Sequence, residues 1–317
     1  MNSPHAGGDA RCAIGRVFLA VDNSPESARA AAYVRHMTLP GARIRIASVA
    51  ENPRVMLPLT SATDAELQLA RDELARDAGE AVARARALFA DAGIEVESGV
   101  IEISRQGGYT ANALIDAAAE WKADLLVVGA RQHHGMLRWI EGTVSEFVTT
   151  AAPCSILVVP ASYEAEIQLS PRRMLFALDG SAASLDALHF GLQLATPECH
   201  LRAIYVIDRG ARLTDLAPMR DIVEAFVEEG NVVLAAAARV FADLPNASET
   251  AFVETAKSRD DVSHAIVRDA RQWGADLIVV GTHGRRGVAR WLLGSVAART
   301  ARIVHTPLLM ARPVPEA

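Results

Sequence analysis

The sequence predicts an α/β protein made of two tandem domains, each a five-stranded parallel sheet sandwiched between helices. Three observations carry that expectation. Val17-Phe18-Leu19-Ala20-Val21-Asp22-Asn23-Ser24 is echoed by Met174-Leu175-Phe176-Ala177-Leu178-Asp179-Gly180-Ser181. Trp121-Lys122-Ala123-Asp124-Leu125-Leu126-Val127-Val128-Gly129 recurs as Trp273-Gly274-Ala275-Asp276-Leu277-Ile278-Val279-Val280-Gly281. Two such matches in the same order mark a unit of about 150 residues written twice, which is domain-sized rather than solenoid-sized. Within each copy, short apolar runs alternate with longer helical stretches, the pattern of a parallel sheet covered on both faces.

In chain order, the first copy places strands near Val17–Val21, Ile44–Val49, Glu95–Ile101, Leu125–Val128 and Ile156–Val159. The second places them near Met174–Leu178, Leu201–Ile207, Thr250–Glu254, Leu277–Val280 and Leu308–Ala311. Asp276-Leu277-Ile278-Val279-Val280 in particular reads as a strand packed on both faces. Between them Asp64–Ala92 and Met219–Ala242 carry apolar residues at three- and four-residue spacing, which reads as helix. Pro160 to Pro171, with Ser162, Ser170 and scattered charges, reads as a connection. The expected division is a disordered tail over 1–13, a first domain over 14–161, a linker over 162–171 and a second domain over 172–317. The last strands of the two copies are expected to pair the domains as a pseudo-dimer, which would hide two open sheet edges.

Half of the 317 residues are apolar, enough for two separate cores. A formal net charge of −6 argues against general binding to nucleic acid or to an anionic membrane surface, because both need a basic face. Cys12, Cys154 and Cys199 lie far apart and are odd in number, which suits free thiols in a reducing compartment. No run reaches the ~18 apolar residues of a membrane span, and Met1 to Cys12 lacks an apolar leader core. A soluble cytoplasmic protein is the expectation.

Chemistry concentrates in one loop. Gly281-Thr282-His283-Gly284, then nine residues, then Gly294-Ser295, lies between the strand ending at Val280 and a helix over Val296–Ile303. Glycines at a strand's carboxyl end let backbone N–H groups approach a ligand, and Gly294-Ser295 places N–H groups and a hydroxyl at a helix N-terminus. That suits phosphate. In a doubly wound sheet, Asp179 at the end of the first strand would share the same edge, where strand order reverses. Plainer readings stand beside these: Asp179 as a turn or cap residue, Gly281 and Gly284 as turn glycines, Ser295 as an N-cap. Asp260-Asp261 and Glu228-Glu229 read as solvated helix charges, and Arg285, Arg286 and Arg290 as an exposed face of the loop.

A first strand ending in Asp179, a second ending in Tyr205-Val206-Ile207-Asp208, and a fourth running into the Gly281 to Ser295 motif resemble the universal stress protein family. The resemblance covers nearly the whole chain as a tandem pair of Rossmann-like domains. It implies an adenine nucleotide, ATP, held at the strand ends, with Mg2+ bridging its phosphates. Asp179 would bond the ribose hydroxyls, next to Ala177 and Leu178, and the backbone of Val206 would meet the adenine edge. Gly281, His283 and Gly284 would wrap the phosphates from one side, and Gly294, Ser295 and Val296 would hold them from the helix N-terminus. These contacts fall on ribose and phosphate, so they do not separate ATP from AMP.

The first copy departs from this pattern. Asp22, Val49, Gly129, Gly142 and Thr143 match, but Gln132 stands where the second glycine belongs. A side chain there intrudes on the phosphate path, so the ligand is expected in the second domain. Arg131 and His133-His134 remain as anion donors; the two histidines lack a third ligand at regular spacing and make a poor metal site. No GxxxxGK[ST], GxGxxG or GxSxG is present, which disfavours P-loop hydrolysis, dinucleotide redox chemistry and serine hydrolysis. The expectation is a nucleotide-binding regulatory protein of the stress response, hydrolysing ATP slowly if at all. Two alternatives are kept: a tandem interaction protein without nucleotide, and a small-molecule or lipid carrier using the first domain. Homodimerisation and protein partners are not decided by the sequence.

Overall fold

The computed structural model describes residues 14–37, 39–53, 63–103, 109–130, 144–163, 170–209, 219–256, 260–284 and 293–312. The expectations for the tail, for Gln132 and its neighbours, for Gly142-Thr143 and for Arg285, Arg286 and Arg290 lie outside them. The first copy runs β1 (Arg16–Ala20), α1 (Pro25–His36), β2 (Arg43–Ala50), α2 (Asp64–Ala87), β3 (Glu95–Glu102), α3 (Thr110–Glu120), β4 (Leu125–Ala130), α4 (Val144–Ala151) and β5 (Ser155–Pro160). The second runs β6 (Arg173–Leu178), α5 (Ala182–Leu192), β7 (His200–Ile207), α6 (Met219–Ala242), β8 (Ser248–Glu254), α7 (Val262–Trp273), β9 (Leu277–Gly281), α8 (Ser295–Ile303) and β10 (Leu308–Ala311).

All ten strands join one sheet in the order β3-β2-β1-β4-β5-β10-β9-β6-β7-β8. Neighbours within each copy are parallel, and β5 meets β10 antiparallel through Leu157 opposite Leu309. Both strands are fully buried there, so each copy covers the other's open edge. The free edges are β3 and β8; β3 carries Glu95, Glu97 and Glu102, charges that oppose edge-to-edge pairing. The crossing main chain is tied down by side chains as well. Arg312 Nη2 donates to the carbonyl of Thr150 at 3.0 Å, and Ile14 N–H to Oε1 of Gln193 at 2.8 Å.

Strand alternation feeds two helical layers. Val17 and Leu19 point with Ile44 and Ile46 into a core closed by α1, α2, α5 and α6; Phe18 and Ala20 point the other way, under α3, α4, α7 and α8. The repeated Trp-x-Ala-Asp sequence has a mechanical reason. Asp124 accepts the backbone N–H groups of Gly15 and Arg16, and Asp276 those of Arg172 and Arg173, so each fixes the start of the strand beside it. Burial pushes the Asp276 carboxyl upward against these two N–H donors.

Several boundaries differ from expectation. The helix expected over Asp64–Ala92 stops at Ala87, because Leu88, Phe89 and Ala90 donate to Ala85, Arg86 and Ala87 in tighter turns that bury Phe89. The fourth strand of the second copy runs on through Gly281, which pairs with Ala311. β5 likewise extends through Pro160, so the connection begins after it.

Candidate functional site

The strand order of each copy reverses between its first and fourth strands, β1 and β4 or β6 and β9, and their carboxyl ends open there. At the end of β6, Asp179 Oδ1 accepts the Ser181 N–H at 3.0 Å and the Ser181 hydroxyl at 2.6 Å. Ser181 Oγ in turn accepts the Ser184 N–H and caps α5. Gly180 between them has φ of 82°, and a Cβ would lie 2.8 Å from Val233. The turn-and-cap reading of Asp179 is thus realised through one carboxylate oxygen. The other faces the loop after β9: a Cβ on Gly284 would stand 2.9 Å from Asp179 Oδ2.

The two ends of the glycine motif meet. Thr282 is fully buried; its N–H donates to Ala311 and its carbonyl accepts the Gly294 N–H at 2.7 Å. A Cβ on Gly294 would lie 3.1 Å from Thr282 O and 3.7 Å from Gly284 N. His283 sits in this junction with Nδ1 3.0 Å from Thr282 Oγ1. Gly294 is the N-cap of α8 and supplies no side-chain acceptor, so the first N–H groups of the helix beyond it, at Ser295 and Val296, are left to solvent or a ligand. Asp179, His283, Gly284 and Gly294 therefore surround one place at the strand ends, with Ser295 and Val296 at its helical side.

Gly281 has a different reason to be glycine. A Cβ there would fall 2.9 Å from the carbonyl of Ala183, so β9 ends hard against the first turn of α5. Gly129 repeats the contact, 2.6 Å from the carbonyl of Glu26. Leu178 is buried in the core beneath α5 and α6, which leaves only its main chain to the site; Ala177 is half-buried between β7 and β9. Val206 lies near the end of β7, the strand beside β6, paired with Val253. Just past it, Asp208 and the Arg209 N–H are joined through the Thr255 hydroxyl.

Sequence reading missed one group. Asp260 and Asp261, expected as solvated charges, are built into a network, and the Asp260 side chain is 8% exposed. Asp260 accepts the Ala256 N–H at 2.6 Å and pairs with Arg268. Asp261 is the N-cap of α7: Oδ1 accepts the His264 N–H and meets His264 Nδ1, each at 3.0 Å, and Oδ2 meets Arg299 Nε of α8 at 2.8 Å. Burial raises both carboxyls, but their N–H and cationic neighbours outweigh it and hold both below their ordinary value. The available signal was an Asp immediately before an amphipathic helix; its partner Arg299 is distant in sequence.

The first copy holds an open cleft of about 500 Å³ at the cognate place, lined by Asp22, Val49 and Gly129 together with Glu26, Glu51 and Asp77. The charged lining of this cleft, among the described residues, is wholly acidic. In the second copy Ala183 stands where Glu26 stands in the first. Among the described residues there is no His, Cys, Asp and Glu group able to hold a metal ion, and no helix long and apolar enough to cross a membrane. Cys154 and Cys199 are free thiols pushed up to about 12 by burial.

Fold and site define a class: a duplicated α/β protein whose copies each reverse strand order between their first and fourth strands, with glycine-bearing turns at those strand ends. The sequence model of the Universal stress protein family matches residues 13–160 and again residues 171–312. A universal stress protein of Mycolicibacterium smegmatis is 30% identical over 303 residues, covering 94% of this chain and 97% of its own length. One from Bacillus subtilis is 31% identical over 148 residues, 44% of this chain and 98% of that protein, which is the length of one copy. The crystal structure of a universal stress protein from Archaeoglobus fulgidus superposes with a TM-score of 0.62 at 19% identity, covering 94% of this chain and 98% of that one, a likeness of fold. The chain belongs to the universal stress protein family as a tandem pair of its domains.

Proposed function

We propose that the protein binds an adenine nucleotide, ATP, in the second copy, and works as a nucleotide-dependent regulatory protein of the stress response. The observation that carries this is the approach of Asp179 Oδ2 to Gly284, where an added Cβ would stand 2.9 Å away and the carboxylate would have to shift. A carboxylate acceptor is thereby kept beside a stretch of bare backbone donors, the pairing that a ribose and its phosphates need. The residues fit such a ligand. Asp179 would accept the sugar hydroxyls, the main chain from Ala177 to Leu178 and at Val206 would border the base, and the backbone at Gly281 would close the floor. The N–H groups near His283, Gly284, Gly294, Ser295 and Val296 would hold phosphate oxygens, with Mg2+ supplied with the nucleotide and ligated by its phosphates. On this reading binding is the activity, with hydrolysis at most slow. Domain limits of 14–161 and 172–317 go with this reading.

ATP titration of wild type and of Gly284→Gln tests it. The variant copies the first copy's Gln132 into the second, and at least a tenfold loss of affinity is expected, about 1.4 kcal/mol or more. Equal affinity would remove the phosphate-loop reading. The open acidic cleft of the first copy favours a second ligand class there, a small uncharged or cationic molecule rather than a polyphosphate. Native mass spectrometry of freshly purified protein would detect it, and a second ATP in that cleft would contradict it.

A further inference from the structure

The amino end of α8 is tied to α7 as well as to Thr282. Ser263, 2% exposed, donates its hydroxyl to the carbonyl of Val296 at 3.1 Å, in the first turn of α8. One turn further along, Arg299 reaches back to Asp261 Oδ2 at 2.8 Å, while Asp261 Oδ1 caps α7 itself. Two bonds, one from the N-cap of α7 and one from its second residue, thus fix both the position and the rotation of the α8 N-terminus. Their charges cancel. Asp261 alone would oppose an anion at the end of α8, and Arg299 neutralises it.

The first copy has none of these parts. The positions cognate to Asp261, Ser263, His264 and Arg299 are Tyr109, Ala111, Asn112 and Phe147. Tyr109 makes no side-chain cap and is 77% exposed, Ala111 has no hydroxyl, and Phe147 is 48% exposed with no charge. The copy with Gln132 in its glycine motif is the one that lacks the clamp.

We propose that Asp261, Ser263 and Arg299 are positioning residues that pre-set the α8 N-terminus for the phosphates of a nucleotide and so determine which copy accepts a polyanion. This rests on the nucleotide reading above. Backbone N–H donors hold a phosphate well only if they converge before it arrives, since ordering them on binding subtracts from affinity. The clamp acts on the phosphate end alone, because it touches neither Asp179 nor Val206.

Affinities of ATP and of adenosine for wild type, Ser263→Ala, Ser263→Thr and Arg299→Gln separate this role from simple helix packing. Ser263→Ala is expected to weaken ATP by about fivefold and to leave adenosine unchanged, with Ser263→Thr restoring ATP. Arg299→Gln, at a half-exposed site that spares the core, is expected to weaken ATP by a similar factor, less so at high salt, where the bared Asp261 charge is screened. Equal weakening of ATP and adenosine, or no change in either, would overturn the clamp while leaving nucleotide binding in place. Failure of wild type to bind ATP would overturn both.

Discussion

Gly281, the last residue of β9, and Gly284, in the loop after it, are glycine for unrelated reasons. Gly281 meets backbone, the carbonyl of Ala183 at 2.9 Å, whereas Gly284 meets the carboxylate of Asp179. Gly281→Ala should therefore cost about 1–3 kcal/mol of stability through overpacking, read as a fall in the denaturant midpoint with the m-value unchanged. Gly284→Ala should leave the midpoint near wild type and weaken ATP, since it is exposed and its neighbour is a side chain that moves at the ligand's expense. A reversed pattern would exchange their roles. Both glycines were legible in the sequence as loop glycines; what each one touches was not, because Ala183 and Asp179 arrive from a different part of the chain. Lys122 and Gly274 form another cognate pair, both in left-handed conformation at a helix end, with φ of 54° and 76°. Lys122→Gly should stabilise the protein by about 0.5–1 kcal/mol, the left-handed penalty of a Cβ less the added freedom of glycine when unfolded. A loss of stability on thermal melting would show that the Lys122 side chain contributes more than its backbone costs.

At the scale of elements, all ten strands were legible, because alternation of buried runs with helical stretches depends only on local periodicity. Helix ends were less so. Asp64–Ala92 overran by one turn because Leu88 to Ala90 stay apolar and alanine-rich after the helix tightens. Asp260 and Asp261 read as solvated since two adjacent acids usually are; their burial comes from Ala256, Arg268, His264 and Arg299 converging around the start of α7. That network predicts an acid response. Both carboxyls are held below their ordinary value of 3.8, so their folded pKa values lie under the unfolded ones. The stabilisation is complete above the ordinary value and is lost as pH falls through 3.8 toward the lower folded values. Asp260→Asn should accordingly be less stable at neutral pH and lose less on acidification, seen in melting temperatures between about pH 6 and about pH 3. Parallel curves for variant and wild type would mean the network adds nothing to the acid response.

Over the whole molecule, duplication gives one continuous sheet, joined where Leu157 meets Leu309. The pairing of the last strands was expected because duplicated domains keep the interface of an ancestral dimer and because the pairing hides two open edges. What sequence could not show is how far the copies have diverged as sites. Gln132 was visible as one difference, whereas the α7–α8 clamp, the tyrosine and phenylalanine that replace it, and the acidic cleft of about 500 Å³ emerge only when distant residues are brought together. Under the proposed function, all of these differences favour a polyanion in the second copy. Calorimetric titration with ATP of wild type beside Gly284→Gln tests that asymmetry most directly. One ATP per chain in wild type and its loss in the variant are predicted; two ATP per chain, or one that survives Gly284→Gln, would contradict it.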